Sequence, residues 1–314
     1  MTWLNYPHLA SMVLNTPLLC TPTLLEAVQQ ALMPRLLGQA SAETQLIDPR
    51  YQALDQASVE TSTHQGVAIL PVHGILTPRR GTINAACMEV ASYEKLSAQL
   101  DVALASSEVE HIVLDMNTPG GAAVGCFDLA ERIYQAREQK PITALVNFAA
   151  YSAGYMLASA CHSIVVSRTS GVGSIGVIAA HVDLSQAVAN QGLKITTFYR
   201  GEHKNDLSPY EPLSDTAAAA LNQSLDELYA LFVETVARNR GLTPQAVRDT
   251  QAALYRGSQA LSVGLADQVA HPQEAINQIA ARLRPAATSS PRRIGLQAAH
   301  LQMQLASGEL HARY

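Results

Sequence analysis

Ile142-Thr143-Ala144-Leu145-Val146-Asn147-Phe148-Ala149-Ala150-Tyr151-Ser152-Ala153-Gly154-Tyr155-Met156-Leu157-Ala158 decides how this chain is read. Its first third, 142–147, is a short apolar run rich in β-branched residues and reads as a buried strand. The remainder, from Ser152 to about 160, is rich in small residues and reads as a helix. A serine stands at the junction. There its hydroxyl lies outside the sheet and near the positive end of a helix. An N-cap role accounts for a serine at that position as well.

The same alternation continues on either side. Upstream, Val67-Ala68-Ile69-Leu70-Pro71-Val72 reads as a strand, 93–105 as a helix, and His111-Ile112-Val113-Leu114-Asp115-Met116 as a second strand. The last runs into Asn117-Thr118-Pro119-Gly120-Gly121, which cannot continue as regular structure. A helix is expected over 124–139. Downstream, the pattern predicts a strand over 163–167, a tight glycine turn over 171–176, a helix over 183–191, a strand over 194–198 and a long helix over 216–240. Strands alternating with helices argue for an α/β fold with a helix-covered sheet. Residues 1–60 read as an N-terminal arm and linker containing one helix over 23–37, and residues 61–274 as the α/β domain. Residues 275–314 read as a flexible tail with short helices over 274–283 and 294–305.

Bulk properties remove several classes of function. The formal net charge is −5 and no basic cluster is longer than the pair Arg292-Arg293, which argues against a nucleic-acid partner. Cys20, Cys87, Cys126 and Cys161 form no C-x-x-C pair, so zinc or redox chemistry is not expected and the thiols read as reduced and buried. The apolar stretch 14–25 is broken by Asn15, Thr16, Pro17, Thr21, Pro22 and Thr23, and reads as neither a signal peptide nor a membrane span. Gly171-Val172-Gly173-Ser174-Ile175-Gly176 lacks both the acidic partner of a dinucleotide fingerprint and the lysine of a P-loop. No cofactor is expected.

A serine nucleophile needs a base. His73, His162, His181 and His203 are candidates, with Asp115, Asp183 and Asp206 available to complete a triad. The other solution is Lys204, just past the 194–198 segment, provided that apolar surroundings desolvate it. Ser170 or Ser174 would orient that lysine by hydrogen bonding. Gly121, with Gly120 beside it, is the candidate oxyanion donor, because glycine lets a backbone amide approach closely. A peptide strand is expected to pair with the sheet edge near 67–72.

Four segments in order carry a resemblance: Asn117 to Gly121, Tyr151-Ser152-Ala153-Gly154-Tyr155, Gly171 to Gly176, and Gly201-Glu202-His203-Lys204. Together they resemble the signal peptide peptidase A family of Ser/Lys serine peptidases, most closely its bacteriophage capsid-assembly (prohead) protease branch. The resemblance implies a crotonase/Clp-protease-like fold, Ser152 as nucleophile, Lys204 as general base and Gly121 as oxyanion donor. It further implies scaffold and capsid proteins as substrates or assembly partners, a homo-oligomer without a membrane anchor, and a place in the host bacterial cytoplasm or inside the prohead. The C-terminal tail would be a scaffold remnant or a docking segment. Two other classes stay open: a crotonase-like acyl-CoA enzyme, and a non-catalytic capsid-assembly component.

Overall fold

The computed structural model describes residues 13–36, 61–79 and 91–283. In chain order the strands are β1 (Leu18–Cys20), β2 (Ser62–His64), β3 (Val67–His73), β4 (His111–Thr118), β5 (Gly120–Ala122), β6 (Ile142–Tyr151), β7 (Ser163–Val166), β8 (Gly171–Gly173), β9 (Leu254–Arg256) and β10 (Gln268–Val269). The helices are α1 (Pro22–Leu36), α2 (Tyr93–Ala105), α3 (Cys126–Ala136), α4 (Ala153–Ser159), α5 (Ser185–Asn190), α6 (Asp215–Arg240), α7 (Pro244–Arg248), α8 (Ser258–Ser262) and α9 (Pro272–Leu283), with a 3₁₀ turn at Glu202–Asn205.

The main sheet runs β10-β7-β6-β4-β3-β2, and a short extension, β8 then β9, is attached to the far end of β6. Its centre is parallel, while β2 and β9 are antiparallel. The central strands β3, β4 and β6 carry continuous apolar runs because both faces are covered. Leu70, Val72, Ile112, Leu114, Ala144, Val146 and Val166 belong to the core beneath α2, α3, α4 and α6. Their alternate neighbours Val67, Val113, Leu145 and Val165 pack against Ala275, Ile279 and Ala280 of α9 on the opposite face. The folded unit therefore runs through Leu283, past the boundary expected at 274.

Local signals explain the helix ends. Ser92 accepts the Lys95 amide at the start of α2, and Ser214 accepts the Ala217 amide at the start of α6. Gly241, at φ 64°, closes α6 in the left-handed conformation.

Several expectations change. The strand read at 142–147 continues to Tyr151, carried past an irregularity by new partners. The glycine run expected as a tight turn is instead a strand over its first half, because β8 lies between the end of β6 and β9. The segment read as a strand over 194–198 is exposed and irregular, since no neighbouring strand lies beside it among the described residues. Most of the linker, including 38–60, and the helix read at 294–305 lie outside the described residues. Cys20, Cys126 and Cys161 are free and buried.

His111 opens β4, and its Nε2 pairs with the Thr143 hydroxyl at 3.0 Å. Burial, then the nearby His162 and Arg282, lowers its pKa to about 4. In the unfolded chain the imidazole titrates near its ordinary value of about 6.5. The unfolded state therefore binds more protons between the two values, and the stability associated with neutral His111 is lost as pH falls from about 6.5 towards 4. Discounted for its partial exposure, that loss is about 1–2 kcal/mol. Urea midpoints should drop between pH 7 and pH 4.5, and His111→Gln should show a smaller drop.

Candidate active site

Three of the four singled-out segments meet at the end of β6. Met116 pairs with Val146, but the next residue, Asn117, pairs with Ala149, so Asn147 and Phe148 are extra. Before this bulge β6 is flanked by β4 and β7. After it, Ala149 to Tyr151 lie between Asn117–Thr118 and Gly171–Gly173. The Asn147 amide side chain bonds Asp115, whose other oxygen pairs with His73 Nε2 at 3.0 Å. A polar cluster on three neighbouring strands thus holds the bulge in place.

Ser152 follows directly. Its backbone is at φ 54°, ψ −113°, a conformation strained for any residue with a Cβ. Its amide donates to the Gly173 carbonyl at 2.8 Å, and its carbonyl accepts the Met156 amide to begin α4. The side chain does not cap that helix, so the N-cap reading fails. The hydroxyl instead faces the Gly176 carbonyl at 3.4 Å, and the residue is fully buried. The amide of Ala153, the next residue, belongs to the first turn of α4 and has no intrahelical acceptor. Sequence reasoning passed over this second oxyanion candidate. The signal was available, because the residue after a strand-to-helix nucleophile presents its amide on the same side.

Every residue of α4 is buried. Tyr155 donates its hydroxyl to the Leu265 carbonyl at 3.0 Å, and Asn239 of α6 donates to Ser159 at 3.1 Å. Arg240 grips Asp267 through two bonds of 2.9 and 2.7 Å, while Asp267 also accepts the Ile164 amide. The Ser152 segment is therefore clamped from behind by satisfied polar groups.

The two glycines differ. The Gly120 amide donates to Thr118 Oγ1 at 3.1 Å, so it is not a free oxyanion donor. On β5, the Gly120 carbonyl and the Ala122 amide both bond Leu76. Amides and carbonyls alternate sides along a strand, so the Gly121 N–H points the other way, towards β1. A Cβ on Gly121 would lie 2.0 Å from the Leu76 carbonyl oxygen, which explains the glycine.

Lys204 lies in the exposed 3₁₀ turn and makes no hydrogen bond to Ser152 among the described residues. Ser170 is occupied elsewhere: its hydroxyl and amide exchange bonds with Ser167 at 2.7 and 3.0 Å. Ser174, at φ 55°, is buried beside the site. None of the four histidines bonds Ser152. His73 pairs with Asp115, His203 with Asp206, His181 with Asn15, and His162 accepts the Ile142 amide. Burial pushes the thiols of Cys126 and Cys161 up to about 12 and that of Cys20 to about 11, which leaves them inert as nucleophiles. The edge expected to receive a peptide is partly closed: β3 carries β4 along its whole length and β2 against Val67 to Ile69.

Residues 134–284, a span that includes both Ser152 and Lys204, match Peptidase family S49. This stretch resembles an S49 peptidase domain. Members of S49 are Ser/Lys serine peptidases. The chain is 36% identical over 285 residues to capsid assembly protease C of Escherichia phage lambda, and 35% identical over 293 residues to the head-tail preconnector protein GP5 of Enterobacteria phage P21. Those alignments take in 87% and 89% of this chain but only 65% and 58% of the relatives' own lengths. Among solved structures, a membrane protease from Pyrococcus horikoshii specific for a stomatin homolog covers 67% of this chain and 76% of its own, at 15% identity and TM-score 0.40. Among the described residues, no helix of this chain is long and apolar enough to cross a membrane.

Proposed function

We propose that the chain is a serine endopeptidase working through Ser152 and Lys204. The observation that carries this reading is the strained, non-capping Ser152, held at the end of β6 where the first turn of α4 lies against the glycine strand β5. Neutral Lys204 takes the Ser152 proton, and Oγ attacks the scissile carbonyl. The Gly121 and Ala153 amides receive the oxyanion. Lys204 then protonates the leaving amine, and water attacks the acyl-enzyme with the same lysine as base. The reading places the sheet in the crotonase/Clp-protease class.

A lysine serves as a base only once it is taken out of water. Lys204 is exposed in the single chain, so the segment that carries it must become covered. Leu193, Ile195, Phe198 and Tyr199 just before it are all exposed, Phe198 at 89%. That row is suited to strand pairing with a second copy, and a homo-oligomer is part of the proposal. Scaffold or capsid proteins are the proposed substrates during head maturation, a reading supported by a relative named as a capsid assembly protease. The assembling shell inside the host cytoplasm is the proposed location.

The test is an intact-mass time course of the full chain, alone and with a neighbouring scaffold protein, with light scattering on the same samples. Wild type should give discrete products from an oligomer, and Lys204→Ala should give none. Cleavage by Lys204→Ala at the wild-type rate would remove the dyad.

A further inference from the structure

A buried nucleophile cannot meet a substrate until something moves. The strand that fills the space between β5 and residues 178–180 is β1. This three-residue strand is hydrogen-bonded along both edges. On one side Leu18, Leu19 and Cys20 lie antiparallel to Ala122, Gly121 and Gly120, and the Thr21 amide donates to the Pro119 carbonyl at 3.2 Å. On the other, Leu18 and Ile178 exchange backbone bonds of 2.8 and 3.0 Å, and the Asn15 amide donates to Ala180 at 2.9 Å. Ile178 is two positions beyond Gly176, whose carbonyl receives the Ser152 hydroxyl. The N–H and C=O of Leu18 are spent on Ile178, so those of Leu19 turn towards Gly121. The proposed oxyanion donor therefore faces the Leu19 backbone.

Adding a strand to an open sheet edge is a recurring way for a protein to bind an extended peptide. The channel between β5 and residues 178–180 offers two edges to such a strand. We propose that residues 18–20 are a tethered occupant of the substrate channel, and that a peptide enters only after this strand leaves. The inference rests on the peptidase reading above. The ligand it implies is an extended segment with a large aliphatic residue opposite Gly121, because Leu19 is fully buried and joins the main core.

A second tie links this strand to the base. The Asn15 side-chain amide donates to the Leu207 carbonyl at 2.9 Å, and its oxygen pairs with His181 Nδ1 at 3.0 Å. Leu207 is three positions past Lys204 in the chain. Departure of β1 together with Asn15 therefore also removes one tie on the segment that carries Lys204. The rest of the strand is lightly held: Leu18, Cys20 and Leu25 form a small cluster of their own with Ile178 and Ala180. Such elements open at lower cost than the core.

Leu18 and Ala122 are opposite one another and do not bond each other's backbone, the pairing that brings Cβ atoms closest. The full-length double variant Leu18→Cys/Ala122→Cys should form a disulfide that locks the strand in place. The probe is a labelled peptide of sequence 13–24, followed by anisotropy for binding in a Ser152→Ala background and by cleavage with Ser152 intact. A tethered strand competes at an effective concentration in the millimolar range, so locking should weaken both signals by about tenfold or more. Dithiothreitol should restore them, and Asn15→Ala should bind the peptide more tightly than wild type. Equal binding before and after reduction overturns the inference even if the peptide is cut, and so does absence of binding in every form. Binding gated by the disulfide, with no cleavage in any form, keeps the tethered strand and removes the peptidase reading.

Discussion

Ser152→Gly and Ser152→Ala are expected to abolish cleavage alike, by about 10⁴-fold or more, and yet to differ in stability. Loss of activity follows from loss of the proposed nucleophile. The stability difference follows from the backbone. At φ 54° and ψ −113° a residue with a Cβ is strained, typically by about 1–3 kcal/mol. Alanine keeps that strain, whereas glycine relieves it, at an entropic cost of about 0.5–1 kcal/mol in the unfolded chain. The hydroxyl contributes little to folding, since its contact with Gly176 is a long 3.4 Å. The glycine variant should therefore be the more stable of the two by about 1 kcal/mol, read from urea midpoints at equal slope. Equal midpoints would mean that the backbone is relaxed there and that Ser152 is not held under tension for chemistry.

Gly121→Ala should be damaging in a different way. Its Cβ would sit 2.0 Å from the Leu76 carbonyl oxygen and 2.7 Å from the Leu76 carbonyl carbon and amide nitrogen. These are backbone atoms and cannot rotate aside. β5 must shift, and the amide aimed into the channel shifts with it. We expect a loss of about 2–3 kcal/mol in stability and about 10²–10³-fold in turnover, the usual cost of a lost oxyanion donor. Gly74→Ala is the control. It has open space around it but φ 73°, so it should lose only about 1 kcal/mol and leave turnover unchanged. Similar behaviour of the two variants would show that close approach at Gly121 is not what matters.

Much of the frame is legible in the sequence because burial on both faces leaves continuous apolar runs at β3, β4 and β6. The turn after β4 is equally plain, with Pro119 followed by two glycines. Ser152 stands out because the texture changes around it within a few residues. What is not legible depends on partners distant in sequence. β1 is three residues between Pro17 and Pro22, and nothing local in Leu18-Leu19-Cys20 says that it will pair with residues a hundred positions on. The reverse error occurs at 194–198, where Lys194-Ile195-Thr196-Thr197-Phe198 has strand-like chemistry but no neighbouring strand in the single chain. β propensity records how well a residue fits a pleated, half-buried surface, and it forms a strand only where that surface exists. Ala153 escapes a reading of the sequence for another reason: what it offers as a candidate is a backbone amide, which its side chain does not advertise. Ser170 shows the converse, a hydroxyl in the right neighbourhood that is fully used by its own turn.

The bulge in β6 has a consequence for how this sequence is free to vary. Phe148 is 70% exposed and its ring supports little, so many side chains would serve in its place. Its removal is another matter. Deleting one residue there would turn Ala149, Ala150 and Tyr151 over to the opposite faces of the sheet, and Ser152 would arrive on the wrong side of it. Selection at this position acts on spacing and is nearly indifferent to chemistry, so substitutions should accumulate at Phe148 while single-residue deletions do not.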